Sequence, residues 1–170
     1  VFAFARLKSM TIEHSPLLAD PVLGEVALLD EPNHPAMQSY THEHTKAWSA
    51  AVNDADAFIF VTPEYNSFPP AAVVNALQAL VLEWERKPAG VVSYGGISGG
   101  LRSAQELRML LANMNIMPLK QVVPMPMVFG DIKEDGKLSP NSEVGKGTAG
   151  MLDELAIWAA ASSALMSLSL

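Results

Sequence analysis

The sequence predicts an α/β fold in which a parallel sheet carries helices on both faces. The first observation is the order of elements, because strand-like and helix-like segments alternate along the chain. The second is the length of 170 residues, which suits one domain with a sizeable core. The third is the composition, with 49% hydrophobic and 17% charged residues, as in globular proteins. We therefore expect residues 1–170 to form a single domain.

Three strands are predicted from compact runs of apolar, aromatic and β-branched residues. The first is "ADAFIFVTP" at 55–63, which ends at a proline, and the second is "KPAGVVSYGG" at 87–96, which ends at glycines. The third is "KQVVPMPMVF" at 120–129, which contains Pro124 and Pro126. Because proline donates no hydrogen bond to a strand ladder, this third strand is predicted to lie at an edge of the sheet.

Helical periodicity fills the intervals between the predicted strands and the end of the chain. A first helix is predicted to begin at Thr41, which acts as its capping residue, and a second begins at Pro70. The stretch 130–148 is polar and rich in glycine, so we expect an exposed loop there. The four predicted helices cover 41–56, 70–85, 98–115 and 151–168.

Composition excludes several classes of function. The chain contains no cysteine, which excludes disulfides, thiolate metal sites and a cysteine nucleophile. The net charge is −7 and the basic residues are scattered, unlike the basic patch of a nucleic-acid-binding protein. No apolar run is long enough to span a bilayer, so we expect a cytoplasmic protein without membrane or nucleic-acid partners. His42 and His44 favour a solvated helix start over a metal site, because side chains two apart diverge on a helix.

Two loops of unusual composition follow consecutive predicted strands, namely "TPEYNSFPP" at 62–70 and "SYGGISGG" at 93–100. Ligands bind beyond the carboxyl ends of the strands in an open parallel sheet, so the two loops are expected side by side at one site. The glycines fit neither a dinucleotide-binding nor a P-loop pattern, which argues against a phosphate cradle. Glycines also let a backbone approach a planar ring and offer N–H groups to it. The alternative is that both are helix-entry loops, with Asn66 and Ser98 as turn or cap residues.

Both loops carry a resemblance to a known family. The segments "VTPEYN", "PP", "NAL" and "EWERKPAGVVSYGGISGGLRSAQELR" resemble the NADPH-dependent FMN reductase family, from about Leu28 to the last helix. The resemblance implies a flavodoxin-like three-layer α/β/α fold with strand order 2-1-3-4-5. It also implies an FMN cofactor, with NADPH or NADH as donor. Hydride would pass through the flavin to a flavin, a quinone or a similar acceptor.

The resemblance further implies that the flat ring of FMN lies between the two loops. The flavin carries the chemistry, so no catalytic side chain is expected, and Glu64 is interpreted as structural. Arg102 could meet a donor phosphate or lie solvated on its helix, and Tyr94 could face either the core or the flavin. The expected cofactor-binding residues are Pro63, Glu64, Tyr65, Asn66, Ser93, Tyr94, Gly95, Gly96, Ser98, Gly99 and Gly100.

The beginning of the chain departs from the family pattern. Members bind the FMN phosphate with a loop after their first strand, and no such Ser/Thr- and Arg-containing stretch precedes Leu28. The preferred alignment makes 1–10 the end of the first helix and 11–20 the second strand and its exit, so that the first strand is missing. The alternative alignment makes "VFAFA" the first strand, followed by a remodelled anion loop with Arg6, Lys8 and Ser9.

The missing phosphate loop leaves a second function open, a flavodoxin-like interaction or regulatory domain that is oligomeric and binds no FMN. The predicted helix at 70–85 is more apolar than one buried face needs, and the equivalent helix helps to form oligomers in the family. We therefore expect a homodimer or homotetramer. A helix buried against its own sheet accounts for most of the same residues.

Overall fold

The computed structural model describes residues 2–5, 17–18 and 27–168 of the chain. The strands there are β1 Phe2–Ala5, β2 Leu17–Leu18, β3 Ala57–Pro63, β4 Pro88–Gly95 and β5 Met117–Pro126. The α-helices are α1 Glu43–Asn53, α2 Ala71–Gln78, α3 Leu101–Asn113 and α4 Ser142–Ser167. Short 3₁₀ turns lie at Pro35–Met37, Leu82–Trp84 and Val128–Asp131.

The strands form one sheet in the order β2-β1-β3-β4-β5. The pairs β3–β4 and β4–β5 are parallel, whereas β1 runs antiparallel to both β2 and β3. The preferred alignment placed Phe2–Ala5 in a helix, which is wrong, and a missing first strand is not confirmed. On the side of β3 that faces away from β4, the backbone N–H and carbonyl groups need hydrogen-bond partners. A strand of either direction satisfies them. Arg6, Lys8 and Ser9 lie outside the described residues.

The prediction that the proline-containing strand lies at an edge is confirmed, since β5 is last in the sheet and pairs with β4. The strand covers Met117–Pro126, so it begins earlier than predicted and stops before the expected end at Phe129. Its start is fixed by the Met117 N–H, which donates to the Lys87 carbonyl at 3.0 Å. Pro124 and Pro126 face Ser93 and Gly95 of β4 in the parallel register.

Two apolar clusters cover opposite faces of the sheet. On one face, Trp84 meets Trp48 and Phe58 edge-on, with ring centroids 5.8 and 4.9 Å apart. Both indole N–H groups donate to carbonyls of α2, at 2.8 Å to Ala76 and 3.0 Å to Leu77. The other cluster contains Met151, Leu155 and Ala159 of α4 with Ala57, Leu119 and Val123 of the sheet. These clusters make the three layers of the fold.

Several helix boundaries differ from the prediction. α1 starts at Glu43, and the expected cap Thr41 is wrong, because the N-cap residue is His42, which makes no side-chain capping hydrogen bond. The carboxylate of Glu31 holds the two residues before the helix. It accepts from the backbone N–H groups of Thr41 and His42 at 2.8 and 3.0 Å. Loss of solvent alone would raise the pKa of Glu31, but these hydrogen bonds, with those from Thr45 and Thr41 hydroxyls, hold it at about 2.

α2 ends at Gln78, and the chain turns into the 3₁₀ segment that buries Trp84. α4 starts at Ser142, well before the predicted start at 151. The Asn141 side chain caps it by accepting from the Val144 N–H at 3.0 Å. The expected loop at 130–148 is therefore helical in its last part, despite two glycines.

A buried carboxylate fastens the first helix to the entry of β4. Glu83 is 1% exposed, and its Oε1 accepts from the Tyr40 hydroxyl at 2.8 Å and from the Ser49 hydroxyl at 2.7 Å. Burial raises the pKa of Glu83, but the hydrogen bonds outweigh this and bring the pKa below its usual 4.5. Nearby, the buried Lys87 ammonium donates to the Val52 carbonyl at 2.7 Å, which closes the end of α1.

We expect Glu83→Gln to lower the free energy of unfolding at pH 7 by about 1–3 kcal/mol, since charge-assisted hydrogen bonds are replaced by weaker ones. A carboxyl with a lowered pKa in the folded state stabilises the protein above its unfolded pKa, and this contribution is lost as the pH falls. Urea unfolding should therefore show a difference that shrinks between pH 7 and pH 4. A difference of the same size at both pH values would contradict the interpretation. Glu143→Gln, at an exposed carboxylate, is the control.

Candidate functional site

The loop after β3 ends in a two-residue hairpin. The backbone of Tyr65 donates to Phe68 at 2.9 Å and accepts from Phe68 at 3.0 Å. Asn66 and Ser67 between them both have positive φ, 52° and 70°, as a type I′ turn requires. Asparagine tolerates this left-handed conformation well, which explains its place in the turn. The hairpin holds Tyr65 and Phe68 in exposed positions.

The glycines of the loop after β4 fall into two pairs with different physical roles. Gly99 and Gly100 have φ of 61° and 76°, and a Cβ on Gly100 would lie 2.6 Å from the Tyr94 carbonyl oxygen. These two glycines are therefore required by the turn itself. Gly95 and Gly96 lack positive φ, and a Cβ on the exposed Gly96 would meet nothing within 4 Å. The side of the loop at Gly96 is thus open.

Glu64 joins the two loops, so the prediction that they lie side by side is confirmed. Its Oε2 accepts from the Arg102 backbone N–H at 3.1 Å and from the Ser98 hydroxyl at 3.3 Å, and its Oε1 accepts from Arg102 Nη1 at 3.0 Å. Partial burial raises the pKa of Glu64, but the hydrogen bonds from Arg102 and Ser103 and the charge of Arg102 lower it below the usual value. The Arg102 side chain is 64% exposed and ion-paired with Glu64, and contact with a donor phosphate stays a prediction.

A second link at the base of the loops was not predicted. The Ser103 hydroxyl donates to the Pro63 carbonyl at 2.8 Å and lies 3.2 Å from the buried hydroxyl of Thr62. The fully buried Ser93 hydroxyl donates to the Gly99 carbonyl at 2.9 Å, beneath the glycine loop. A serine in the first turn of a helix is a signal for such a contact, but its partner comes from a distant part of the sequence.

A third segment, after β5, also reaches the glycine loop and was missed by the sequence reasoning. The Met127 N–H donates to the Gly96 carbonyl at 3.0 Å, and Met127 itself has a positive φ of 51°. Its position after the carboxyl end of the strand next to β4 is the signal that could have revealed it. Large exposed apolar side chains follow all three strands, and we call this set the apolar rim: Tyr65, Phe68, Ile97, Leu101, Met127 and Phe129.

Tyr94 was expected either in the core or against the ligand, and the structure places it against the apolar cluster beneath α4. It is half-buried. Burial is the main cause that raises the pKa of the Tyr94 hydroxyl, and the electrostatic effect of the nearby Tyr65 raises it further. Tyr94 therefore supports the loop from the sheet side.

The two neighbouring histidines stack on each other, with ring centroids 5.2 Å apart, near Asp30. Within residues 27–168 and the two short strands, no group of three His, Asp or Glu side chains is arranged to hold a metal ion. In the same part of the chain, no helix is long and apolar enough to cross a membrane.

Comparison with known proteins decides the family. The model of the NADPH-dependent FMN reductase family matches residues 3–130. The chain belongs to this family. It is 42% identical to an NAD(P)H-dependent FMN reductase of Schizosaccharomyces pombe over 105 residues, 59% of this chain and 52% of the relative. It is also 36% identical to an NAD(P)H-dependent FMN reductase of Nectria sp. over 145 residues, 82% of this chain and 68% of the relative. The chain thus spans about half the length of the S. pombe relative.

The fold agrees with the family. The structure of a flavoenzyme NAD(P)H:(acceptor) oxidoreductase from Paracoccus denitrificans superposes with a TM-score of 0.66 at 18% identity, over 85% of each chain. The architecture of this FMN reductase family member is therefore flavodoxin-like, apart from the antiparallel β1. The family match begins at residue 3, so it extends further towards the start of the chain than Leu28, where the resemblance of the motifs begins.

The two glycine pairs should respond differently to substitution. We expect Gly100→Ala to lower the free energy of unfolding by about 1–3 kcal/mol, because the methyl group meets the Tyr94 backbone at a left-handed φ. Gly96→Ala should stay within about 0.5 kcal/mol of the wild type, since its Cβ enters open space. Urea unfolding measures both. Equal losses of unfolding free energy in the two variants would disprove the distinction between Gly96 and Gly100.

Proposed function

We propose that the protein is an FMN-dependent NAD(P)H oxidoreductase. It takes hydride from NADPH or NADH and passes the electrons to a flavin, a quinone or a similar small acceptor. The observation that carries the proposal is the pair of loops joined by Glu64, with an open glycine backbone at Gly96. Membership of the FMN reductase family and the names of the two fungal relatives support it.

The residues of the two loops fit a flat heterocycle with hydrogen-bond acceptors on its edge. The backbone N–H groups of Asn66, Ser67, Ile97 and Ser98 donate no hydrogen bond to any group in the described part of the chain. A Cβ on Gly96 would fill the space above the loop, so glycine keeps this space free for a ligand. Free N–H groups beside an open backbone are suited to the carbonyl and nitrogen acceptors of a flavin ring.

FMN supplies the hydride chemistry when it is bound. The chain's part in the proposal is to bind and orient the ring. Ser93, Tyr94, Gly99 and Gly100 hold the glycine loop from beneath, and Glu64 joins it to the hairpin. The groups proposed to meet the ring are backbone groups of Pro63, Tyr65, Asn66, Gly95, Gly96 and Ser98.

The proposal concerns the ring end of the cofactor, because Arg6, Lys8 and Ser9, the candidate phosphate-binding residues, lie outside the described range. Treating residues 1–170 as one FMN-binding domain belongs to the same proposal. A cytoplasmic location also stays a prediction, which fractionation of cells would test.

We also propose that the protein is a homodimer or a homotetramer. The surface that supports this proposal differs from the helix that the sequence predicted to form the contact. The apolar segment 70–85, of which Ala71–Gln78 is α-helical, buries Val73, Leu77, Leu80 and Trp84 in the core, so little of it is left for a partner. The apolar rim, in contrast, exposes Ile97 at 92% and Phe129 at 76%. Exposed apolar side chains grouped at one end of a sheet mark an interaction surface. Sedimentation of a clean monomer would contradict this proposal.

The direct experiment is to purify the protein, measure flavin absorbance and add NADPH without oxygen. We expect a yellow protein, or one that becomes yellow with added FMN, and bleaching of the flavin band by the donor. A colourless protein that also fails to bind added FMN would overturn the proposal. That result would leave the alternative, an interaction or regulatory domain of the same fold.

A bulky side chain at Gly96 should block the flavin without disturbing the fold. We expect Gly96→Leu to weaken FMN binding by about 10- to 100-fold, because a side chain in an occupied space costs about 1–3 kcal/mol. The melting temperature should stay unchanged, since the added Cβ meets no protein atom within 4 Å. Titration with FMN, followed by quenching of flavin fluorescence, measures the effect.

The matched control is Gly145→Leu in α4, where a Cβ also meets nothing within 4 Å but no candidate loop is near in the sequence. It should bind FMN as the wild type does. Unchanged FMN affinity in Gly96→Leu would show that the ring does not lie over Gly96.

A further inference from the structure

Helix α3 begins without a cap of its own. Its N-cap residue is Gly100, which has a φ of 76° and no side chain to accept a hydrogen bond from the first turn. A larger residue is excluded there by the Tyr94 backbone, which would lie 2.6 and 2.8 Å from the added Cβ. The first N–H groups of a helix have no partner within the helix, so they need an acceptor from elsewhere.

Glu64 supplies that acceptor from the neighbouring loop. Its Oε2 lies 3.1 Å from the Arg102 N–H in the first turn of α3, the position that an N-cap side chain normally serves. The same oxygen accepts from the Ser98 hydroxyl within the glycine loop, and Oε1 binds Arg102 Nη1. The Glu64 side chain is 13% exposed, whereas the Arg102 side chain that it pairs with is 64% exposed. A carboxylate at this end of a helix is also favoured by the helix dipole.

We propose that Glu64 is a positioning residue, which caps α3 from the hairpin loop and thereby fixes the spacing of the two loops that receive the flavin ring. The second part of this inference, the positioning of the loops for the flavin ring, rests on the proposed function. Glycine is required at position 100 by the turn, and the lost cap is replaced by a side chain of the opposite loop. One carboxylate thus couples the geometry of both loops.

The two links between the loops have separate effects in this proposal. The bonds of Ser103 with Pro63 and Thr62 lie at the buried base and hold the helix to β3. Glu64 acts further out, at Ser98 and Arg102. Removing its carboxylate should therefore loosen the ends of the loops while the protein stays folded.

The test compares Glu64→Ala and Glu64→Gln with the control Glu43→Ala. Glu43 is a carboxylate in the first turn of α1 whose side chain is 87% exposed and binds Lys46. We expect Glu64→Ala to weaken FMN binding by about 3- to 30-fold, the range for loss of an N-cap. Glu64→Gln retains an oxygen for the Arg102 N–H and should lose only about two- to threefold. The control should bind FMN unchanged.

Amide hydrogen exchange of the cofactor-free protein separates the two parts of the inference. The Arg102 N–H should exchange faster in Glu64→Ala than in the wild type, and the control should show no change. Unchanged exchange at Arg102 would overturn the capping role, and unchanged FMN affinity with faster exchange would overturn the positioning role. If Glu64→Ala does not fold, Glu64→Gln decides, and an FMN affinity equal to that of the wild type in that variant overturns the inference. A wild-type protein that binds no FMN overturns the proposed function and the positioning role, and exchange alone then decides the cap.

Discussion

The parallel register of β3 and β4 is the constraint on which the candidate site depends. It pairs Thr62 with Ser93 and Pro63 with Tyr94, so both strands end at the same level. The hairpin and the glycine loop leave the sheet from adjacent points, close enough for one carboxylate to reach across. A slip of the register by one residue would turn Thr62 and Ser93 to the opposite face and separate the loops. The core residues Phe58 and Phe60 oppose such a slip, because they would leave the aromatic cluster.

Much of the fold and the location of the site follow from local sequence. Strand-forming residues, the prolines of β5 and the turn residues of both loops act over a few positions, and these features were predicted. The errors arose where a distant partner decides the outcome. Glu31 holds the two residues before α1 through their backbone N–H groups, and β1 pairs antiparallel with β3, whose edge accepts a strand of either direction. Helix α4 begins before two glycines because Asn141 caps it and Val144 is buried.

The candidate site shows the same limit. The sequence indicated two loops and the residue types within them, yet it could not divide the glycines by role. Gly100 is fixed by a contact with the backbone of Tyr94, while Gly96 faces open space, and only the three-dimensional path distinguishes them. The contacts of Ser103 and the approach of Met127 to Gly96 likewise join segments far apart in the chain. Long-range hydrogen bonds of this kind have no local signature.

The prolines of β5 have a consequence for the behaviour of the protein at high concentration. In the part of β5 nearest the glycine loop, Pro124 and Pro126 pair with Ser93 and Gly95 of β4, and neither nitrogen carries a hydrogen for a further strand. An edge strand with fewer N–H donors is a poorer template for a further strand, and proline at an edge is one way in which proteins avoid edge-to-edge aggregation. At the opposite edge of the described sheet, β2 is only two residues long. Self-association along this edge of β5 is thereby disfavoured.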